Sequence, residues 1–573
     1  MHGYFQSDNC MYNNVLLYDV NNRNNCETSA DSTIVSPLNY DNWEYFLSDH
    51  PDKEYVSLLL KYIKDGIPLG YTGPRSGVRI CPNWASSYQL ADACFDIISK
   101  EVRLGRKIGP FSGVPPSMKD FYICSPVGAF QRSSGKTRII HDLSWPPEGS
   151  VNDFIAKQDY SMIYISVDDA IHDIKQLLKT KANHEVYISK ADLSDAFKYI
   201  LVDKNDHNLL GTSWCFKNEH GHIVTHFYYD VMLPFGSRSS PKNFDMFACG
   251  LEYVCKRRGA DVVRHYMDDY FTCGDYDGCL KNRDILLESA ELLGFEINPK
   301  KVEGPTQKME FLGIEIDVIN MCTRITDERL TKTLDELKLW VNKKRCTKRQ
   351  LLSIIGRLNF ISRVVRPGRT FLRAFIRDSC KVNHLSHNVM LSSQSKLDFQ
   401  WWLKFLPEFN GVNIFYDEIW QEDHLYFNMS SDASDLGCAS IFGDKWCMLD
   451  FREHSFWKSM PIMWRELFAI LISMLTWGTS LKGKRVLFSC DNQAVCHMVN
   501  AGTSRNVDVH KLIRIMFYVA AFYGFEFKLK FLYGCDNVQS DALSRLEYDV
   551  FINENPNADK EMSLPNLDLL CYV

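Results

Sequence analysis

Asp192 closes a strand-like run, Glu185 to Ala191, and is followed by Leu193, Ser194, Asp195, Ala196 and Phe197. Asp268 and Asp269 lie at the tip of a hydrophobic hairpin whose arms are Val262 to Tyr266 and Tyr270 to Thr272. Burying two adjacent ionised carboxylates without a counter-charge is costly, and a bound cation is the economical remedy. Nucleotidyl transfer uses carboxylates from distant segments to hold two metal ions roughly 4 Å apart, one at the attacking hydroxyl and one at the triphosphate. Oxygen-only ligands favour Mg²⁺, with Mn²⁺ as an alternative ion. Asp192 and Asp268 are the expected bridging pair, with Asp269 in support. Taken alone, Asp268-Asp269 reads more readily as a turn former; Asp192, a Gly/Ser/Pro loop at 236 to 241 and the basic arm at Arg138 reverse that reading towards chemistry.

A second acidic set is spaced along the last third of the chain. Asp432 follows the strand Leu425 to Met429, Glu466 lies early in a strongly apolar helix, and Asp491 follows Val486-Leu487-Phe488. Asp541 sits in Asn537-Val538-Gln539-Ser540-Asp541-Ala542-Leu543-Ser544-Arg545. Four carboxylates around two Mg²⁺ ions can align a water with a phosphodiester and stabilise the departing 3'-oxygen. Asp432 and Asp541 could each be simple caps, but four carboxylates at element ends are more than capping requires.

These residues must be positioned by several lobes, since 573 residues exceed what one core supports. Hydrophobic content of 45% and charge of 24% are those of a soluble globular protein. The formal charge of -6 does not exclude a nucleic-acid partner, because phosphates respond to local Lys and Arg density. That density is found at Lys343-Lys344-Arg345 with Lys348-Arg349, and at Arg363, Arg366, Arg369, Arg373 and Arg377; a solvated helix face is the plain alternative. Nineteen scattered cysteines without Cys-x-x-Cys pairs, and no secretion signal at Met1, point to a reducing compartment. No apolar run approaches membrane-spanning length, so the expectation is an intracellular protein, cytoplasmic and/or nuclear, with no membrane partner.

Helical patterns over Glu54 to Ile63 and Trp84 to Ile98 precede a hairpin between Asp120 and Asp142 that carries Arg138 on its returning arm. A helix from Lys242 to Lys256 repeats Phe244, Phe247, Leu251 and Val254; another runs from Leu280 to Leu293. Phe311 to Ile316 is a strand, followed by helices near 328 to 341 and 347 to 360. From Leu425 to Arg545 the succession is three strands, then helix, strand, two helices, strand and helix, a compact α/β unit.

Tyr266-Met267-Asp268-Asp269 resembles the metal-binding hairpin of reverse transcriptases, and Asp192-Leu193-Ser194-Asp195-Ala196-Phe197 the strand that opposes it. Leu233 to Pro241 with Phe244, then Gly294-Phe295 with Asn298-Pro299-Lys300-Lys301, then Phe311-Leu312-Gly313, resemble further motifs of that family in the same order. The Asp432, Glu466, Asp491, Asp541 set, down to the terminal Asp-Ala-Leu-Ser-Arg, resembles retroelement ribonuclease H (RNase H) domains. Related domains often carry a His shortly before the last Asp; Phe531-Leu532-Tyr533-Gly534 has none, which implies slower or differently assisted turnover.

The resemblance implies an α+β right-hand polymerase of fingers, palm and thumb, followed by an α/β RNase H-like domain with a mixed five-stranded sheet. The implied division is an extended or flexible arm over 1–45, an N-terminal lobe and fingers over 46–185, and a palm with part of the fingers over 186–320. A thumb over 321–380, a connection over 381–422, an RNase H domain over 423–546 and a loosely held tail over 547–573 complete it. Arg138 would neutralise the triphosphate; a second basic contact is in doubt, since this chain offers Gln131 and then Arg132. Phe235 and Gly236 would lie beneath template and nucleotide, and Lys300 or Lys301 would protonate or steady the pyrophosphate. The Phe197 ring would clash with a ribose 2'-hydroxyl and select deoxynucleotides; a core Phe is the alternative. Lys343, Lys344, Lys348, Arg363 and Arg369 would grip the duplex backbone.

Within that family, Leu351 to Phe360, Arg366-Pro367-Gly368-Arg369 and Trp401-Trp402 look most like tyrosine-recombinase retrotransposons of the DIRS group. The implied partners are an RNA template, DNA primer and product, RNA/DNA hybrid, dNTPs, and an element-encoded capsid-like protein and tyrosine recombinase. Oligomeric state stays open. An RNA-binding or assembly scaffold with unused metal centres, and an RNA-directed RNA polymerase, are the competing functions.

Overall fold

The computed structural model describes residues 36–132, 135–180, 185–217, 223–411, 413–414, 429–452, 454–502 and 504–568. The chain forms two compact units, Met1–Thr306 and Gln307–Val573, each with mixed α/β content.

In the first unit, α1 (Tyr40–Leu47) and α2 (Lys53–Asp65) are capped by Asn39 and Asp52, whose side chains accept from N–H groups of the first turns. The expected arm over 1–45 therefore gives way to a helix at Tyr40; residues 1–35 lie outside the described residues. Trp43 and Leu47, one turn apart, are fully buried, and the Trp43 indole donates to the Leu293 carbonyl at 3.0 Å. The expected helix from Trp84 to Ile98 is two, Ala85–Gln89 and Ala91–Arg103, broken at Leu90.

β1 (Val127–Gln131) and β2 (Thr137–His141) form the hairpin that carries Arg138 opposite Phe130. β3 (Tyr187–Asp192) leads into the site. α3 (Ser240–Arg257) starts with Pro241 in its first turn, where a missing N–H is harmless. It buries Phe244, Phe247, Leu251 and Val254 on one face. Gly250 lets Trp43 approach, since a Cβ there would lie 2.7 Å from the indole ring.

β4 (Val263–Tyr266), β5 (Asp269–Gly274), α4 (Tyr276–Leu293) and β6 (Glu303–Thr306) follow. The strands make an antiparallel sheet in the order β6-β3-β5-β4, against which α3 and α4 pack. A separate five-stranded sheet joins Gly77–Ile80, Phe121–Cys124, Gly211–Lys217, Ile223–Asp230 and Lys107–Phe111.

The second unit opens with short strands and helices that include α5 (Asp327–Val341), α6 (Lys348–Ile361) and α7 (Ser393–Phe409), with a shorter helix, Arg373–Ser379, before α7. α6 begins in a capping box of Thr347 and Gln350. Much of the expected connection over 381–422 is α7, whose buried Phe399 stacks on Trp340 of α5 at 5.2 Å; aromatic content makes it a packed helix rather than a linker.

β7 (Met429–Ala433), β8 (Gly437–Phe442), β9 (Lys445–Asp450), α8 (Ile462–Trp477), β10 (Arg485–Cys490), α9 (Val507–Tyr523), β11 (Glu526–Phe531) and α10 (Val538–Ser544) follow, with a short helix, Gln493–Asn500, between β10 and α9. Their sheet runs β9-β8-β7-β10-β11, antiparallel on the β9 side and parallel across β7, β10 and β11. Strand alternation sends Ser440 towards α8, where its hydroxyl donates to Ala469, and sends Ala439 and Ile441 into a cluster with Ala542 and Leu543 of α10.

The expected strand start at Leu425 lies outside the described residues, and β7 extends to Ala433, so Asp432 is within the strand rather than after it. The tail expected to be loose from 547 is partly anchored. α11 (Tyr548–Glu554) buries Phe551 beside Trp446, and the Trp446 indole donates to the Asp559 carbonyl at 2.8 Å.

Candidate active sites

In the first unit the backbone gathers the acids. β3 and β5 pair in a register that sets Asp192 opposite Asp269, and β4 turns into β5 through Met267 and Asp268 alone. Two-residue hairpin loops demand positive φ; Met267 supplies it at 55°, a left-handed conformation that costs a non-glycine residue roughly 1–2 kcal/mol. The Leu193 N–H ties this turn to the end of β3 by donating to the Asp268 carbonyl at 3.0 Å.

The Asp192 carboxylate is buried and accepts from Lys301 Nζ at 2.6 Å. Lys300 is exposed, its N–H donating to Asn298 Oδ1 at 3.2 Å. Lys301 is therefore the lysine that reaches the cluster. Burial raises the Asp268 carboxyl, and the charge of Asp192 adds to the rise. Asp269 is pushed up to about 7 by burial, by Asp268 and by Asp192. Lys301 and Arg138 oppose the shift at Asp268 without cancelling it, so the cluster carries the excess negative charge that a divalent cation neutralises.

The Arg138 charge acts on Asp268, Asp195 and Asp192. Arg132 is exposed, its N–H bonded to the Lys136 carbonyl at 3.0 Å. Phe197 is buried, stacked on Phe244 at 5.0 Å and tilted against Phe235 at 4.7 Å, while the Phe235 ring is 62% exposed. Gly236 is required by packing, since a Cβ there would lie 2.1 Å from the His141 carbonyl oxygen. Arg106, which no sequence motif marks, holds Asp195 at 3.1 Å, and Asp195 itself has φ of 47°. Their 89-residue separation leaves no local signal.

In the second unit β7 and β10 run parallel with Ser430 opposite Ser489. Asp432 and Asp491, each two residues farther on, thus leave the same edge of the sheet. Asp432 accepts from Ser544 Oγ at 2.6 Å and is pushed up to about 6 by burial, with the charges of Asp491 and Asp541 adding. Glu466, in the second turn of α8, is pushed up to about 7 by burial and by Asp491 and Asp432. Burial and Asp541 raise Asp491. Asp541 is paired with Arg545 at 2.9 Å.

Glu466 Oε2 and Asp491 Oδ1 are buried without a hydrogen-bond partner, and ligating atoms of Glu466, Asp491 and Cys490 all lie within 4.8 Å of one another. Orphaned, mutually repelling carboxylate oxygens fit a divalent cation. Ser544 and Arg545 are supporting residues whose only sequence signal is adjacency to Asp541. Gly534 faces Asp491, a Cβ there standing 3.7 Å from Oδ2.

The expected duplex-binding residues divide. Lys343 folds over the Trp340 ring at 4.5 Å, Arg363 lies exposed over the Phe360 ring at 5.7 Å and Lys348 donates to the Val382 carbonyl at 2.7 Å, whereas Lys344 and Arg369 are exposed.

Residues 148–316 match the family model described as reverse transcriptase (RNA-dependent DNA polymerase). The chain carries a reverse transcriptase domain over that span, and such domains use divalent metal ions. No curated protein matches the chain. It is similar to a foamy viral protease-reverse transcriptase dRH in complex with double-stranded DNA, at 13% identity and a TM-score of 0.47, over 88% of this chain and 84% of that one. The foamy viral protease-reverse transcriptase with an RNA/DNA hybrid gives 13% and 0.44, over 86% and 62%. The same enzyme with double-stranded DNA gives 15% and 0.43, over 87% and 98%. Among the described residues no helix is long and apolar enough to cross a membrane.

Proposed function

We propose that this protein is an RNA- and DNA-directed DNA polymerase with an attached RNase H that cleaves the RNA strand of the hybrid it makes. One observation carries the reading: two separate carboxylate sets, Asp192 with Asp268 and Asp269, and Asp432 with Glu466, Asp491 and Asp541, each converge at strand ends within their own unit. A chain serving only as a scaffold gains nothing from like charges held together against their own repulsion.

On this reading residues 46–320 supply fingers and palm, 321–380 the thumb and 423–546 the RNase H domain. Asp192, Asp268 and Asp269 hold one pair of Mg²⁺ ions and the other four acids a second pair. Bound Mg²⁺ supplies charge neutralisation at phosphoryl oxygens and a more acidic hydroxyl or water. Arg138 grips the triphosphate through its forked guanidinium, and Lys301, already beside Asp192, stands ready to give a proton to the leaving pyrophosphate. Phe197, with Phe235 over it, walls the sugar site against a 2'-hydroxyl. In the second centre Ser544 and Arg545 orient Asp432 and Asp541. Lys344 and Arg369, both exposed, are placed to meet backbone phosphates, as is Arg363 from its position over the Phe360 ring.

The enzyme serves replication of a retrotransposon most like the tyrosine-recombinase, DIRS-like group, inside the cell and alongside a capsid-like protein and a recombinase. The test extends a labelled primer on RNA with Mg²⁺ and either dNTPs or NTPs, run beside cleavage of an RNA/DNA hybrid. Extension with dNTPs together with loss of hybrid RNA is the expected result. Extension with NTPs alone would indicate an RNA polymerase, and inactivity in both assays a scaffold.

A further inference from the structure

A second kind of ligand set, different in composition from the acids already described, lies on the α3 side of the β6-β3-β5-β4 sheet. Asp245 and Cys249 are four residues apart on α3, a spacing that puts both on one helix face. His265 of β4 reaches them. Its Nε2 is 3.1 Å from Asp245 Oδ1 and 3.9 Å from Cys249 Sγ, and Cys249 Sγ is 3.8 Å from Asp245 Oδ2. One ligating atom from each of the three lies within 4.8 Å of the others.

The surroundings are those of a ligand site. His265 Nδ1 is 2.8 Å from Glu252 Oε2, and a carboxylate behind the distal ring nitrogen is how metal-bound histidines are oriented. Tyr270, across the β4–β5 pair from His265, is fully buried with a hydroxyl that lacks any hydrogen-bond partner. The acidic groups bearing on that hydroxyl include Glu252, Cys249 and Asp245. Cys249 is exposed, which leaves the cluster open to ions from solution.

We propose that Asp245, Cys249 and His265 form a Zn²⁺ site distinct from both carboxylate centres. A thiolate, an imidazole and a carboxylate together suit a borderline-soft ion, whereas Mg²⁺ takes oxygen ligands and does not accept the sulfur. Three protein ligands leave a tetrahedral ion one position for water. Binding releases the Cys249 thiol proton and the proton on His265 Nε2, while Nδ1–H continues to donate to Glu252. The ion would join α3 to β4, the strand that leads into the Met267-Asp268 turn. The same contacts have an ion-free explanation, an imidazolium held between Asp245 and Glu252, and the experiment separates the two.

Metal-stripped full-length protein in excess Mg²⁺, which competes for the carboxylate sites, is titrated with Co²⁺ and then Zn²⁺, beside a Cys490→Ser variant that removes the sulfur next to Glu466 and Asp491. The expected result is a near-ultraviolet thiolate-to-Co²⁺ band saturating at one equivalent and discharged by Zn²⁺. Cys249→Ser, at an exposed position, should remove the band and weaken Zn²⁺ binding at least tenfold. Glu252→Gln should keep the band and weaken binding by about 10–100-fold. Absence of the band in the unaltered protein, or its persistence in Cys249→Ser, would overturn the proposal, as would Zn²⁺ affinity unchanged within twofold in both variants.

Discussion

Lys301 Nζ and Asp192 Oδ1 stand 2.6 Å apart although 109 residues separate them in the chain. On the proposed reading, an ammonium held on this buried carboxylate is placed to hand a proton to the leaving group, a contribution worth about 10²–10⁴-fold in rate. Lys301→Gln should lower single-turnover primer extension by about a hundredfold. Lys300→Gln, at an exposed side chain, should stay within threefold. Equal losses in the two variants would remove the distinction.

Phe197 lies 4.7 Å from Phe235, one ring buried and the other open. Phe197→Val should raise ribonucleotide incorporation relative to deoxynucleotide, measured as the ratio of kcat/KM for GTP and dGTP. Because the ring also packs on Phe244, Phe197→Ala should in addition cost about 3–5 kcal/mol, visible in the denaturation midpoint. A destabilised Val variant with unchanged sugar discrimination would leave Phe197 as core packing alone.

Asp491 raises the cost of ionising Glu466, Asp541 and burial do the same to Asp491, and both Glu466 and Asp491 have a buried oxygen without a partner. Asp491→Asn should abolish hybrid cleavage and spare primer extension, while raising the melting temperature of the metal-free protein because one repelling charge is gone. Asp268→Asn should show the opposite activity pattern, with hybrid cleavage intact. Joint loss of both activities in either variant would contradict two independent centres.

The carboxylates are legible in the sequence because strand ends and a two-residue turn are local features. An apolar run closing on Asp192, or an Asp pair between two hydrophobic arms, announces itself without tertiary information. The aromatic period of α3 is legible for the same reason. Arg106 beside Asp195, and His265 between two α3 residues, are not, since each partnership spans a fold contact that no periodicity encodes. The helix at Tyr40 hides in an Asn-rich background because a short helix needs only Trp43 and Leu47 to anchor it. α7 reads as a connection because a Ser-rich start outweighs the aromatics behind it, yet those serines include the cap, Ser392, which accepts from the Ser395 N–H. Lys343 and Lys348 show what charge density leaves out. Charge density marks them for phosphate, but one covers Trp340 and the other caps carbonyls of the following segment.

His510, on α9, has Nδ1 buried without a hydrogen-bond partner and is pushed down to about 4, by burial first and then by Arg514, Arg377 and Arg373. The folded protein thus keeps this imidazole neutral, whereas the unfolded chain protonates it below an ordinary value of about 6.5. Between those two values the unfolded state binds more protons, so this residue's contribution is fully present above the upper one and is lost as pH falls towards the lower. Allowing for solvent screening at a half-buried side chain, the loss is about 1–2 kcal/mol. His510→Gln should therefore lose less stability than the unaltered protein between pH 7.5 and pH 4.5, compared by denaturant midpoint at each pH. Comparing the two proteins cancels the opposite slope of the raised carboxylates, common to both. Identical losses in the two would show that His510 is not held neutral.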